Sequence, residues 1–116
     1  MTNRIKDMSM HIARLTPTEA EIHITVSPES LSYTTEVRGR FVGPRCTHAA
    51  TIEIAYPLRE QARDSNTPLI VLRTVVPEPC LWDAESPFVY RCEVELWQDG
   101  QLCDRKATDY GLATPR

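Results

Sequence analysis

From Phe88 onward the chain alternates strictly, and this pattern limits the fold more than any other feature. Phe88, Tyr90, Cys92, Val94 and Leu96 share one parity, while Arg91, Glu93 and Glu95, flanked by Val89 and Trp97, occupy the other. Successive side chains of a β-strand point to opposite faces, so this run is a half-buried strand with an apolar inner face. An α-helix would scatter the three charges around its circumference. Asp99-Gly100 follows at once, and this pair favours a two-residue type I′ turn, which needs positive φ twice. The tight register sets Gln98 against Gln101, Trp97 against Leu102, Leu96 against Cys103 and Val94 against Arg105. The last pairing turns Arg105 inward, so either a bulge near Leu102 to Arg105 or a longer loop with a G1 bulge is expected to correct the phase.

Other segments carry the same signal. Met8, Met10 and Ile12, running on toward Leu15, read as a first strand ended by Thr16-Pro17. Ile22, Ile24 and Val26 make a second, ended by Ser27-Pro28. Val37, Gly39 and Phe41 make a third, stopped at Gly43-Pro44. Ala50, Ile52, Ile54, Tyr56 and Leu58 make a fourth, and the nearly continuous LIVLRTVV from Leu69 to Val76 a more fully buried fifth. The polar LREQARDSNTP between those two reads as one helical turn and a loop. The strand from Phe88 and its hairpin partner from Leu102 complete about seven antiparallel strands. The expected fold is all-β, an immunoglobulin-like β-sandwich in one domain over residues 1–116. The antibody subtype is excluded, because the second strand lacks its Cys and the third its Trp.

Composition agrees with this class and limits function. Nine prolines against four glycines suit a loop-rich β domain, and 41% hydrophobic with 25% charged residues excludes a disordered chain. A formal net charge of −3 gives no electrostatic case for nucleic acid or an anionic membrane surface. The opening MTNRIKDMSM has no apolar core of a signal peptide, so the chain reads as cytoplasmic or as a piece of something larger, with the initial Met favouring a free-standing product. Four cysteines contain no CxxC, and Cys46-Thr47-His48 is too sparse for zinc. In the tight register Cys92 faces Ala107, which leaves Cys103 about 13 Å away, too far for a disulfide. Free thiols are therefore expected, with Cys46 and Cys80 in loops of unknown proximity. No metal or other cofactor is expected.

The corner before the alternating strand carries a further pattern: Leu81-Trp82, an acidic bend at Glu85, Pro87-Phe88-x-Tyr90, then the hairpin, Asp104, and Gly111-Leu112. This run resembles the end of the immunoglobulin-like sandwich domain of glycoside hydrolase family 2, the group containing β-galactosidases and β-glucuronidases. The family's Arg after Gly-Leu is here Ala113. In that family the catalytic barrel begins at this point and supplies the catalytic glutamates, one in an Asn-Glu pair. Here Asn3 and Asn66 are the only asparagines and neither precedes Glu. What the resemblance implies is therefore an accessory domain with no catalytic residue of its own or, as the lesser alternative, a fragment of a glycosidase whose barrel is missing.

The residues lead to the same expectation. Glycoside hydrolysis needs two carboxyl groups across one bond, whereas Asp83 and Glu85 sit two apart in a corner and read as turn caps. Asp104 and Asp109 lie on the last strand. His11, His23 and His48 are scattered, so no metal site is expected. The leading function is a non-catalytic interaction domain that docks on a partner domain or self-associates through an open sheet edge. The alternative is a carbohydrate-binding module using Trp97, which has outward parity with Leu102 beside it; cross-strand packing of that pair is the competing reading. Trp82 is expected to plug one end of the core. Leu81, Trp82, Pro87, Phe88, Tyr90, Asp99, Gly100, Asp104 and Gly111 are expected to be structural.

Overall fold

The computed structural model describes residues 3–47 and 49–113. Seven antiparallel strands follow one another: β1 (Ile5–Leu15), β2 (Glu19–Pro28), β3 (Thr35–Arg45), β4 (Ile54–Asp64), β5 (Leu69–Pro77), β6 (Val89–Gln98) and β7 (Gln101–Tyr110). Their spatial order, β1-β2-β5-β4-β3-β6-β7, is that of one strongly curled sheet folded into two facing layers. Strand β4 makes the fold. Its first half pairs with β3 through Ile54–Leu58, and its second half pairs with β5 through Arg59–Asp64.

The alternation read from the sequence decides what faces inward. Ile22, Ile24 and Val26 of β2 and Ile70, Leu72 and Val76 of β5 are fully buried from one layer. Phe41, Tyr90, Cys92, Val94 and Leu96 are buried from the other. At 25 cal/mol per Å² of apolar surface, each such side chain contributes about 1.5–3 kcal/mol. Phe41 and Tyr90 stack with ring centroids 5.1 Å apart. Gly39 shares their inward parity and has no room for a side chain: a Cβ there would meet the Glu93 carbonyl oxygen at 2.6 Å and Leu58 Cδ1 at 3.0 Å.

The hairpin turns as expected, with φ of 52° at Asp99 and 76° at Gly100. Its register breaks where a bulge was needed. Trp97 faces Leu102, but Leu96 faces Asp104, leaving Cys103 as the extra residue. Arg105 thereby pairs with Glu95 on the outer face, and Cys92 faces Thr108 instead of Ala107.

Several expectations are corrected. The third strand runs through Gly43-Pro44 to Arg45, because its pairing with β6 skips irregularly from Val42 to Arg45 and so accommodates a residue that cannot donate. The fourth strand begins only at Ile54; Ala50 and Ile52 lie in the preceding loop, with Ile52 87% exposed. The polar stretch after Leu58 is strand as far as Asp64, not a helical turn, because β4 needs those residues to reach β5. Phe88 precedes β6, half-buried and outside the core cluster.

Candidate functional site

Antiparallel registers sort the connections into two ends. The β1–β2, β3–β4 and β5–β6 connections, and the chain after Tyr110, lie at one end; the β2–β3, β4–β5 and β6–β7 connections lie at the other. The second end is tied by polar side chains. Gln98 accepts from the Thr35 hydroxyl at 2.6 Å and donates to Thr34 at 2.8 Å. Buried Asn3 donates to the Ser30 carbonyl and accepts from the Ser30 N–H. Arg63 donates to the carbonyls of Ser32 and Thr35.

The first end is apolar and open. Trp82 is 44% exposed, Leu81 40% and Ile54 51%, alongside Ile52. The expectation that Trp82 plugs the core is therefore corrected. Its backbone N–H donates to the Leu112 carbonyl at 2.7 Å, and an isolated bridge joins it to Pro87. The ring lies against Gly111, where an added Cβ would come within 2.8 Å of it. Leu112, unlike Trp82, is fully buried at this end. Tyr90 secures the corner from inside, its hydroxyl accepting the Cys80 N–H at 3.0 Å. Burial pushes the Tyr90 phenol up from its ordinary pKa. The Asp83 carboxylate caps the bend, accepting the Glu85 and Ser86 N–H groups at 2.8 and 2.6 Å.

Trp97 points outward from β6, in register with Leu102, but its ring is no free platform. The Arg38 guanidinium sits 4.2 Å from the ring centroid, and the indole N–H donates to Glu95 at 3.2 Å. Cation–π stacking of this kind covers a face that a sugar would need. Around it the outer face of β3, β6 and β7 is laced with ion pairs. Glu93 takes Arg40 at 2.5 Å and Arg91 at 3.4 Å, and Arg91 reaches Asp109 at 3.8 Å. The Arg40 hydrogen bond is the main reason the Glu93 carboxyl lies below its ordinary pKa.

Asp104 lies on the inner side of β7. Its Oδ2 accepts the Ile5 N–H at 2.9 Å, linking the two edge strands across the mouth of the curled sheet. The outer face of the opposite layer carries His11 against His23, ring centroids 6.3 Å apart, with His23 2.8 Å from Glu21. Arg73 and then His23 hold the Glu21 carboxyl below its ordinary pKa. Among the described residues no group of three or more metal-ligating side chains converges, and His48 lies outside them. All four cysteines are free thiols, Cys92 buried and the others partly so. Among the described residues no helix is long and apolar enough to cross a membrane.

The family model for glycosyl hydrolases family 2 matches residues 3–112, nearly the whole chain. This chain belongs to glycosyl hydrolases family 2. The solved structures similar to this family 2 domain are far larger. A Bifidobacterium dentium β-glucuronidase complexed with coumarin-3-O-glucuronide aligns over 96% of this chain and 18% of its own, with TM-score 0.67 and 15% identity. A Dictyoglomus thermophilum β-D-glucuronidase aligns over 98% and 16%, with TM-score 0.58 and 18% identity. A Bacteroides vulgatus β-glycosidase aligns over 96% and 13%, with TM-score 0.60 and 15% identity. At these identities the likeness is one of fold, and the chain spans less than a fifth of each relative. No curated protein sequence matches it. The described residues form the family's sandwich domain, with no part of a catalytic barrel among them.

Proposed function

We propose that this domain is a non-catalytic accessory module that docks, through its Trp82 end, on the catalytic unit of a family 2 glycosidase. One observation carries the reading: four of the six exposed large apolar residues, Ile52, Ile54, Leu81 and Trp82, fall at the same end of the sandwich, with Tyr33 and Leu102 at the other. Solvated loop tips seldom gather such residues unless something covers them. The partner class comes from the relatives, which are named as β-glucuronidases and a β-glycosidase. The carboxylates support the non-catalytic half. Asp83 caps a bend, Asp104 holds β1, and Asp109 faces Arg91, so each has a structural partner.

A photo-crosslinking residue at position 81, in the chain expressed in its source cells, tests the docking. Position 33, at the opposite end and 96% exposed, serves as the control. The expected adduct forms from position 81 only and contains peptides of a glycosidase catalytic domain. Equal adducts from both positions, or adducts free of any glycosidase, would remove the docking reading. Turnover of nitrophenyl glycosides by the purified chain would remove the non-catalytic one.

A further inference from the structure

Among the described residues no strand lies beyond the outer edge of β7, and its charges are arranged to complement themselves. We propose that β7 pairs antiparallel with β7 of a second copy about a two-fold axis through Ala107, joining two curled sheets edge to edge. The axis sets Ala107 against the second copy's Ala107, and Arg105 against the second copy's Asp109, twice over by symmetry. It also sets Lys106 against the second copy's Thr108, and Asp104 against the second copy's Tyr110.

Three observations support this register. First, Arg105, Lys106, Ala107 and Asp109 are all exposed, so neither layer covers mid-strand. Second, opposite charges continue across the joint. Within one copy Arg38, Glu95 and Arg105 follow one another across β3, β6 and β7. The second copy's Asp109 extends the row, and its Arg91, 3.8 Å from that Asp109, extends it again. Opposite charges directly across a strand pair are favourable, and like charges unfavourable. Third, small Ala107 leaves a shallow trough on the outer face, where Glu93 and Glu95 lie among the cations Arg38, Arg40, Arg91 and Arg105. In the two-fold register the second copy's Arg105 lies diagonal to Ala107 and fills this trough on its way to Asp109.

Lys106 is the feature that opposes pairing, since an inward-pointing charge blunts a sheet edge. The two-fold places it opposite a Thr hydroxyl that can accept from its ammonium, and the two lysines meet only diagonally. The bulge at Cys103 and the engagement of Asp104 with Ile5 end the pairing on one side. The joint therefore spans Asp104 to Tyr110.

An axial residue gives a sharp test. Directly opposed Cα atoms lie roughly 4.5–5.5 Å apart, inside the range of a disulfide. Residues at 105 in the two copies lie about 13 Å apart along the strands. Air oxidation of Ala107→Cys should give a covalent dimer well above the wild-type baseline, and Arg105→Cys should not. Sedimentation of the wild-type chain should show a dimer at micromolar concentration. Ala107→Lys, which faces Glu93 within its own copy and so keeps the fold, should raise the dissociation constant roughly tenfold or more. A wild-type chain that stays monomeric through the millimolar range would overturn the proposal. So would cross-linking at 105 as efficient as at 107. Neither result tests the docking reading, which rests on the exposed Ile52, Ile54, Leu81 and Trp82 and not on the pairing of β7.

Discussion

Cys92 stands in the middle of the core, fully buried, paired across β3 with Phe41 and across β7 with Thr108. Burial, with a smaller push from neighbouring Glu93, raises its thiol from about 9 to about 12. Below pH 9 the thiol is protonated in folded and unfolded chains alike and adds no pH dependence. Above it the unfolded chain gives up a proton that the folded chain keeps. Stability then falls as pH rises, by up to about 1.4 kcal/mol per unit, until the folded thiol ionises near 12. Tyr56, Tyr90 and Tyr110, each raised chiefly by burial, add to the slope only from about pH 10. Urea melts at successive pH values should therefore show wild-type stability falling from pH 9 and Cys92→Ala falling only from about pH 10. A common onset would show that the thiol is not shielded as its burial requires. The same burial should leave Cys92 unreactive toward a disulfide reagent in the native chain, while Cys46, Cys80 and Cys103 react.

Strand β7 owes its phase to one surplus residue. With Cys103 bulged out, Asp104 meets Leu96, and Tyr110 meets Tyr90 on the inner side. Deleting Cys103 leaves Leu102 opposite Trp97 and Asp104 opposite Leu96 in unbroken alternation, so the loss should stay within about 1 kcal/mol. Deleting Ala107 instead shifts Thr108 to Tyr110 by one position and turns Tyr110 off the core, which should cost about 2–4 kcal/mol. Equal urea midpoints for the two deletions would deny that the bulge sets the register. The need for this bulge was legible in the sequence, because an unbroken hairpin puts Arg105 opposite Val94. Strands β2, β5 and β6 were legible for a similar reason: each has one buried and one outer face, and period two reports that division. In β4 only Ile54 to Leu58 was legible, since the strand then leaves one layer for the other and most of Ile54–Asp64 is exposed. Its second half is held by pairing with β5, which leaves no hydrophobic period to read. Trp82 was misplaced because a corner sequence does not say on which side of Gly111 a ring will lie.

The whole molecule is a sheet that curls through seven strands and stops short of closing. Strands β1 and β7 end the order, and a hydrogen bond joins them at Ile5 and Asp104. That single carboxylate binds the Ile5 N–H with one oxygen and the Arg105 N–H with the other. Both are backbone donors near a sheet edge, where water would otherwise compete for them. The family pattern's Asp at this position thus acquires a mechanical role that needs no catalytic explanation. Asp104→Ala should loosen the Ile5 end of β1, at a cost of about 1–3 kcal/mol for hydrogen bonds to a charged acceptor. Hydrogen exchange separates this local effect from general weakening. The Ile5 amide and its neighbours should exchange faster at denaturant levels where the Leu72 and Val94 amides, at the centre of the two layers, still exchange by global unfolding. Unchanged protection at Ile5 would mean that β1 is held by β2 alone. Pairing with β2 spans nearly all of β1, so the strand should stay attached when the link is cut and only the mouth of the curled sheet should open.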